Sequence, residues 1–299
     1  MRAVALEDEL RDHFGLAVVE LRSLSTPVND VFVVRTSSDT FALKLYHRNR
    51  RLEQVRWEVE LLRHLRERHA PVSAPVQGRH GAVEVLAVEG TSRPAVLYEW
   101  APGDKPGPSP EVYALLGAAA ARIHQGAGAF RSAHAREEYD AHLLIDDQLA
   151  RMRPHLIEAG CWRTAVALGT RLAGFLAAAD LDHGVCHMDL TLDNVHLSGD
   201  ELTVFDFDSA GLCWRAVEPH GVLTFSRSCF DAWLAGYRTV RDFAAADEKA
   251  VSAFAVIGDL RLVAWKLGVA ASSRGEPQLS AAELPAVVDR WLEEEQAGL

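Results

Sequence analysis

Alternating hydrophobic and polar positions dominate the first third of this 299-residue chain and predict a β-rich region. Short runs rich in Val, Leu and Phe are separated by turns such as Ser37-Ser-Asp39, a pattern typical of strands that bury one face. The predicted strands cover 16–24, 30–36, 40–46, 82–88 and 95–99. An apolar stripe at helical spacing predicts an amphipathic helix over 1–15, ahead of the first strand.

Between 49 and 69 the period of the apolar positions changes to that of a helix. The apolar stripe of this helix consists of Val55, Leu61, Leu62 and Leu65. At 100° per residue, Glu58 falls near the middle of the stripe and Glu60 on the opposite side. Because burying an unpaired charge costs several kcal/mol, Glu58 requires a cationic partner, and Lys44 is the natural candidate. The alternative for Lys44 is an edge-strand lysine whose ammonium group extends into solvent.

A segment with four prolines, between 102 and 110, interrupts regular structure and predicts a hinge. Beyond it the pattern is helical. The predicted helices cover 110–126, 137–159, 162–179, 227–241, 247–272 and 281–295. A β-rich first third followed by a helical remainder predicts an α+β chain with two lobes. We assign 1–99 to the first lobe, 100–110 to the hinge and 111–299 to the second lobe.

One polar cluster interrupts the helical part. A short apolar run leads into His187-x-Asp189, and Asn194 follows. Two further short runs, joined by a Ser198-Gly-Asp200 turn, end in Asp206 and Asp208. The strand ends are expected to bring Asp189, Asn194 and Asp206 together. Phosphoryl transfer uses these groups, because it needs a carboxylate that orients a hydroxyl and oxygen ligands for Mg²⁺.

The spacing H-x-D-x-x-x-x-N followed by D-F-D resembles the catalytic loop and metal motif of the protein-kinase-like superfamily. Met188 stands where protein kinases have Arg, and Asp208 stands where they have Gly. This form resembles the aminoglycoside and choline phosphotransferase family, including its homoserine-kinase-like and stress-response-kinase-like bacterial members. The resemblance covers most of the chain from Val18 onward. It implies a bilobal protein-kinase-like fold with a small β-rich N-terminal lobe and a larger helical C-terminal lobe.

The resemblance also implies roles for the polar cluster. Asp189 is the catalytic residue that orients and deprotonates the acceptor hydroxyl. Asn194 and Asp206 hold Mg²⁺, and Asp208 is a second candidate ligand or a group supporting the first. Strand alternation does not separate the two aspartates, because they fall on the same side. The position directly after the apolar run favours Asp206.

For the nucleotide, the resemblance implies that Lys44 contacts the α- and β-phosphates of ATP and pairs with Glu58. The resemblance further implies that the backbone around the hinge forms hydrogen bonds with the edge of the adenine ring. The residues expected to do so are Glu99, Trp100 and Ala101. The turn 24–30 contains no glycine, and Ser25 and Asn29 are the candidates that cover the phosphates.

One departure from the family pattern leaves two interpretations open. Relatives commonly carry Asp-Leu-Ala after D-F-D, and that Asp supports the catalytic loop. This chain has Glu218-Pro219 instead. Either Glu218 takes the structural role with a longer side chain, or the loop 209–221 binds substrate.

The net charge and the cysteine content limit the kinds of partner and metal site that this chain is expected to have. A net charge of −11 argues against nucleic acid or an anionic membrane as the main partner. No apolar run approaches the ~20 residues of a membrane span and no signal-peptide pattern is present, so we expect a cytoplasmic protein. The sequence leaves its oligomeric state open between monomer and homodimer. The four cysteines lack C-x-x-C spacing, which favours buried free thiols over a metal site.

The sequence therefore predicts an ATP- and Mg²⁺-dependent phosphotransferase acting on a hydroxyl of a small molecule. Overall acidity favours a cationic acceptor, such as an aminoglycoside-like compound or an amino alcohol. The resemblance implies that the acceptor is bound by the segments able to reach the catalytic Asp, 134–159 and 209–221. The alternatives are a homoserine-type kinase, a protein Ser/Thr kinase of the same fold, and a non-catalytic nucleotide-binding pseudokinase. The pseudokinase is disfavoured because every polar group expected in an active site of this family is present. These groups are Lys44, Glu58, Asp189, Asn194 and Asp206.

Overall fold

The computed structural model describes residues 3–24, 28–88, 90–269 and 279–298. The strands are β1 Glu20–Leu24, β2 Asp30–Arg35, β3 Thr40–Leu45, β4 Val83–Val88, β5 Thr91–Glu99, β6 His183–Cys186, β7 Val195–Ser198, β8 Glu201–Val204 and β9 Gly211–Trp214. The helices are α1 Ala3–Phe14, α2 Leu52–Glu67, α3 Pro110–Gly126, α4 Asp147–Glu158, α5 Trp162–Ala178, α6 His220–Phe225, α7 Arg227–Arg238, α8 Ala245–Val269 and α9 Leu284–Gly298. Because a β-rich part precedes a mostly helical part, the predicted fold class is confirmed.

The chain forms two compact units, each built from three segments. Unit 1 comprises Met1–Gly107, Gln125–Arg136 and Thr191–Ser209. Unit 2 comprises Pro108–His124, Glu137–Leu190 and Ala210–Leu299. The division of the chain into 1–99, 100–110 and 111–299 follows chain order and stays a prediction.

Unit 1 is built on a five-stranded antiparallel sheet with the order β1-β2-β3-β5-β4. Leu6 and Leu10 of α1 pack on one face of the sheet, in a core that includes Leu43 and Leu45. Because side chains alternate along a strand, Lys44 lies on the opposite face. Alternation thus separates the hydrophobic core from the face that carries the candidate site.

Unit 2 is mostly helical, and two glycines allow α3 and α7 to approach closely. A Cβ atom at Gly117 would lie 2.0 Å from the Trp233 carbonyl oxygen, and one at Gly236 would lie 1.9 Å from that of Ala114. Any larger residue at either position therefore forces the helices apart. Strands β6 and β9 pair antiparallel on either side of the catalytic-loop sequence.

Several element boundaries differ from the predicted ones. The first strand begins at Glu20 rather than at residue 16, and β5 begins at Thr91 rather than at residue 95. The helix predicted over 137–159 is a π-helical turn at His142–Asp146 followed by α4. All four cysteines are buried free thiols, as expected. No helix in the described part of the chain has the length and apolar character needed to cross a membrane.

Candidate active site

Lys44 lies at the centre of a cluster of carboxylates in unit 1. Its Nζ atom is 2.7 Å from Asp206 Oδ1, 3.6 Å from Glu58 Oε1 and 3.8 Å from Asp208 Oδ1. Burial by itself lowers the pKa of Lys44, but Asp206, Glu58 and Asp208 together raise it above its ordinary value. The buried ammonium group is therefore charged, and it faces acceptor oxygens from α2 and from the D-F-D segment.

Glu58 lies on the buried face of α2, and Glu60 lies on the exposed face, so the helical projection is confirmed. Glu58 Oε1 accepts a hydrogen bond of 3.1 Å from the Tyr98 hydroxyl, and Glu58 Oε2 has no partner among the described residues. Burial raises the pKa of Glu58, while Lys44 opposes the shift. Glu60 instead accepts a hydrogen bond of 2.6 Å from Ser132 Oγ. The unpartnered oxygen leaves Glu58 able to accept a further donor.

The two aspartates of D-F-D have different surroundings. The side chain of Asp206 is 46% exposed and that of Asp208 is 16% exposed. Asn29 Nδ2 donates a hydrogen bond of 2.9 Å to Asp208, and Arg50 donates to the Asp208 carboxylate and backbone carbonyl. Arg136 also donates to that carbonyl. Burial raises the pKa of Asp208, but Lys44, Arg50, Asn29 and Arg136 lower it overall.

Asp206 also adopts an uncommon backbone conformation, with φ of 61°. Left-handed residues other than glycine are rare, although Asp tolerates this region better than most. Such outliers often mark functional turns. Asp206 lies two residues after the end of β8, and its carboxylate contacts Lys44, whereas the Asp208 carboxylate contacts Arg50.

A cavity of about 430 Å³ opens beside Lys44 within unit 1. The predicted site residues that line it are Lys44, Glu58, Glu99, Trp100, Ala101, Asn194 and Asp206. Apolar walls come from Val31, Ala42, Leu62 and Phe205. Asn29 contacts Asp208, and Ser25 lies outside the described residues. The cavity combines apolar walls with a few charged groups, as small-molecule sites usually do.

The backbone at 99–101 is partly engaged by its neighbours. The Glu99 N–H donates to the Ala74 carbonyl at 2.9 Å, and the Glu99 carbonyl accepts from Ser73 Oγ at 2.6 Å. His196 Nδ1 lies 2.8 Å from the Ala101 carbonyl oxygen. Sequence analysis missed His196, whose only signal was a polar residue within the apolar run 195–197.

The catalytic-loop sequence of unit 2 places Asp189 at the surface, directly after buried residues. Met188 has φ of 69°, an uncommon value for a long side chain. The Asp189 N–H donates to His187 Nδ1 at 3.3 Å, and the His187 ring is buried. This contact joins the Asp189 backbone to the buried His187 ring on the N-terminal side of Asp189. Because Asn194 and Asp206 belong to unit 1, their proximity to Asp189 stays a prediction.

Glu218 supports this loop from within unit 2. Its buried carboxylate accepts a hydrogen bond from the His187 N–H and lies 3.6 Å from His124 Nε2. The network continues from His124 Nδ1 to the Tyr237 hydroxyl at 2.8 Å and from there to Arg241 at 3.0 Å. Burial raises the pKa of Glu218, but His124 and the His187 N–H lower it overall. Of the two interpretations left open by the sequence, the structure supports the structural one.

Comparison with known proteins identifies the family. The sequence model of the phosphotransferase enzyme family matches residues 27–251, and the chain belongs to that family. It is therefore a phosphotransferase, as the sequence predicted. A protein of Synechocystis sp., sll1119, is 31% identical over 268 residues, which cover 83% of this chain and 73% of that protein. A homoserine kinase of Methylocella silvestris is 30% identical over 276 residues, covering 86% and 83%.

Solved structures confirm the kinase-like fold. The amicoumacin kinase hAmiN, in complex with AMP-PNP and Ca²⁺, superposes with a TM-score of 0.79 at 19% identity, covering 99% of this chain and 94% of that one. A microcompartment-associated aminopropanol kinase gives a TM-score of 0.72 at 20% identity, covering 99% and 95%. At sequence identities this low, the similarity to these structures is evidence for the fold and not for the substrate.

Proposed function

We propose that this phosphotransferase moves the γ-phosphate of ATP to a hydroxyl group of a small molecule, with Mg²⁺ as the metal. The observation that carries the proposal is the convergence of Lys44, Glu58 and Asp206 on one cavity, which Asn194 also lines. A charged ammonium beside carboxylate and amide oxygens suits a nucleotide triphosphate bound with a divalent cation.

The donor set fits a magnesium ion. Mg²⁺ prefers oxygen ligands and is usually held by one or two carboxylates together with substrate phosphates. Asp206 and Asn194 offer such oxygens at the cavity wall. Asp206 is half exposed, whereas Asp208 is engaged by Asn29 and Arg50. When bound, the ion would neutralise charge on the phosphates. We therefore assign the metal to Asn194 and Asp206, and the support of the D-F-D turn to Asp208.

Lys44 has a second partner available when Asp206 is held by a cation. Glu58 lies 3.6 Å away and its Oε2 atom has no partner among the described residues. The pair would hold the ammonium group toward the α- and β-phosphates.

Among the backbone groups at 99–101, the N–H and C=O of Trp100 and the N–H of Ala101 have no hydrogen-bond partner in the described part of the chain. These groups suit the edge of a purine base.

We assign the proton transfer to Asp189. Its carboxylate would accept the proton of the acceptor hydroxyl while the hydroxyl oxygen attacks the γ-phosphorus. The bond from that phosphorus to the β–γ bridging oxygen breaks, and ADP leaves. The exposed position of Asp189, on a loop fixed by His187 and Glu218, supports this role.

The Lys44–Glu58 pair gives a matched test on one helix. We expect Lys44→Ala to raise KM for ATP and to lower kcat. We expect Glu58→Ala to lower kcat as well. We expect Glu60→Ala to change stability by no more than about 0.5 kcal/mol and activity little, because Glu60 lies on the exposed face. Steady-state kinetics and thermal unfolding of the three variants check this. Equal damage from the Glu58 and Glu60 changes would contradict the assignment.

For the acceptor we propose a cationic hydroxylated small molecule, such as an amino alcohol or an aminoglycoside-like compound. The net charge of −11 favours attraction of a cation. A homoserine-type acceptor is the second candidate, because homoserine kinases are among the curated relatives at about 30% identity. Both candidates carry an amino group and a hydroxyl, and they differ in the carboxylate.

The test is ATP consumption by the purified protein with aminoglycosides, amino alcohols, homoserine, sugars and a generic protein substrate. We expect a cationic acceptor to be used best, and its KM to rise with ionic strength. Exposed charges are screened over about 8 Å at physiological salt, so the attraction weakens as salt is added. A neutral sugar serves as the control, since its KM should not respond. An anionic acceptor, or a KM that falls with salt, would contradict the cationic assignment.

A further inference from the structure

Three side chains at the end of α1 and beside the edge strand β4 converge on one point, away from the proposed phosphotransfer groups. His13 lies in the last turn of α1, His80 lies in the turn before β4, and Glu84 lies in β4. His13 Nδ1 is 2.8 Å from Glu84 Oε2, and His80 Nδ1 is 3.0 Å from the same oxygen. One ligand atom from each residue lies within 4.8 Å of the other two.

We propose that His13, His80 and Glu84 bind one transition-metal ion of the zinc class, with water as the fourth ligand. Two imidazoles and a carboxylate are a recurrent zinc donor set, with ligand distances of about 2.0–2.2 Å. Ligand atoms of a tetrahedral zinc site are then about 3.3 Å apart. The observed separations of 2.8 and 3.0 Å differ from that value by a few tenths of an ångström. Nitrogen ligands select zinc over magnesium, which prefers oxygen.

The carboxylate is held in place before any ion binds. Glu84 is 2% exposed, and its Oε1 atom accepts a hydrogen bond of 2.7 Å from the His80 N–H. A Cβ atom at Gly78 would lie 2.6 Å from Oε1 and 2.9 Å from Cγ of Glu84, so a larger residue there would force the carboxylate to shift. Burial raises the pKa of Glu84, but the hydrogen bonds from His80 and His13 lower it overall. Both imidazoles therefore face one carboxylate oxygen, Oε2, whose position is fixed by the contacts of Oε1.

A second cluster among the described residues, His124, Cys186 and Glu218, is a weaker candidate. All three residues are buried, and each is already engaged in hydrogen bonds within unit 2. His124 is hydrogen-bonded to Tyr237, and Glu218 accepts from the His187 N–H. Glu218 thereby supports the catalytic loop, whereas we assign no role in phosphotransfer to the cluster at His13.

A metal ion here would attach α1 to the sheet of unit 1. Leu6 and Leu10 already pack against the sheet, and the Arg79 N–H donates to the His13 carbonyl at 2.7 Å. The ion would add a cross-link between the C-terminal end of α1 and β4. Binding to the folded state alone raises stability with ligand concentration, so Zn²⁺ should raise the melting temperature.

The test is equilibrium dialysis of the full chain against micromolar Zn²⁺ with millimolar Mg²⁺ present, followed by metal analysis. We expect the His80→Gln variant to bind this ion at least about 100-fold more weakly, since even the loss of an outer-shell partner costs 10–100-fold. The His80 side chain is 68% exposed, so the substitution preserves the fold. His155→Gln, on α4 in unit 2, is the matched control and should bind as the wild type does.

Two further measurements separate this site from the active site. Co²⁺ in place of Zn²⁺ should give the visible absorption of a tetrahedral complex, and His80→Gln should abolish it. Asp206→Ala should leave that absorption unchanged. Zinc binding that survives in His80→Gln, is lost in Asp206→Ala, or is absent from the wild type at micromolar concentration would overturn the proposal. None of these outcomes bears on phosphotransfer, which is assayed with Mg²⁺ alone.

Discussion

Replacing Asp189 by Asn is expected to lower kcat by about 10²–10⁴-fold while leaving ATP affinity unchanged, because a positioned acid–base group typically contributes that much. The substitution keeps the size of the side chain but removes its negative charge and its ability to accept the proton. The Asp189 N–H bonds His187 Nδ1, and that contact does not depend on the carboxylate. Rapid-quench measurement of the chemical step, with nucleotide binding measured by calorimetry, checks both parts.

The control for this variant is Asp200→Asn. Asp200 is an exposed aspartate in the turn between β7 and β8, and its substitution should leave both kcat and ATP affinity near the wild-type values. Near wild-type kcat in Asp189→Asn would remove Asp189 from the mechanism. Loss of ATP affinity together with kcat would instead indicate a role in binding.

The second large effect is expected at Asp206. Asp206→Ala should lower turnover by about 10²-fold or more, or demand far more Mg²⁺, because a catalytic metal contributes several kcal/mol. Asp206 is half exposed on the cavity wall, and its hydrogen bond to Lys44 is 2.7 Å long. Activity titrated against Mg²⁺ at saturating ATP gives the apparent metal affinity of each variant.

Asp208→Ala is the comparison for Asp206→Ala, and it should act differently. Asp208 is engaged by Asn29 and Arg50, so its loss should lower the melting temperature and leave those partners without their carboxylate. The apparent Mg²⁺ affinity should change less than in Asp206→Ala. If Asp208→Ala raises the Mg²⁺ requirement more than Asp206→Ala does, the two aspartates have exchanged roles.

The sequence by itself predicted the fold class and the class of reaction, phosphotransfer. The spacing of Asp189, Asn194 and Asp206 is a local property of one loop and one hairpin, so it is visible in the sequence without any knowledge of how the rest of the chain folds. The burial of Glu58 rather than Glu60 followed from helical geometry, since the two differ by 200° on the helix surface. Period alone also separated the β-rich part from the helical part.

Tertiary structure alone decided between groups that the sequence left equivalent. Asp206 and Asp208 share a side by alternation, but Asn29, 179 residues away in the chain, and Arg50 both donate hydrogen bonds to Asp208. Glu218 supports the catalytic loop because the fold brings its carboxylate to the His187 N–H. The convergence of His13, His80 and Glu84 likewise depends on how α1 packs against β4. Apart from the His80–Glu84 pair, which is four residues apart, these contacts join residues far apart in sequence. No local pattern encodes which of those partners the folded chain brings within hydrogen-bonding distance.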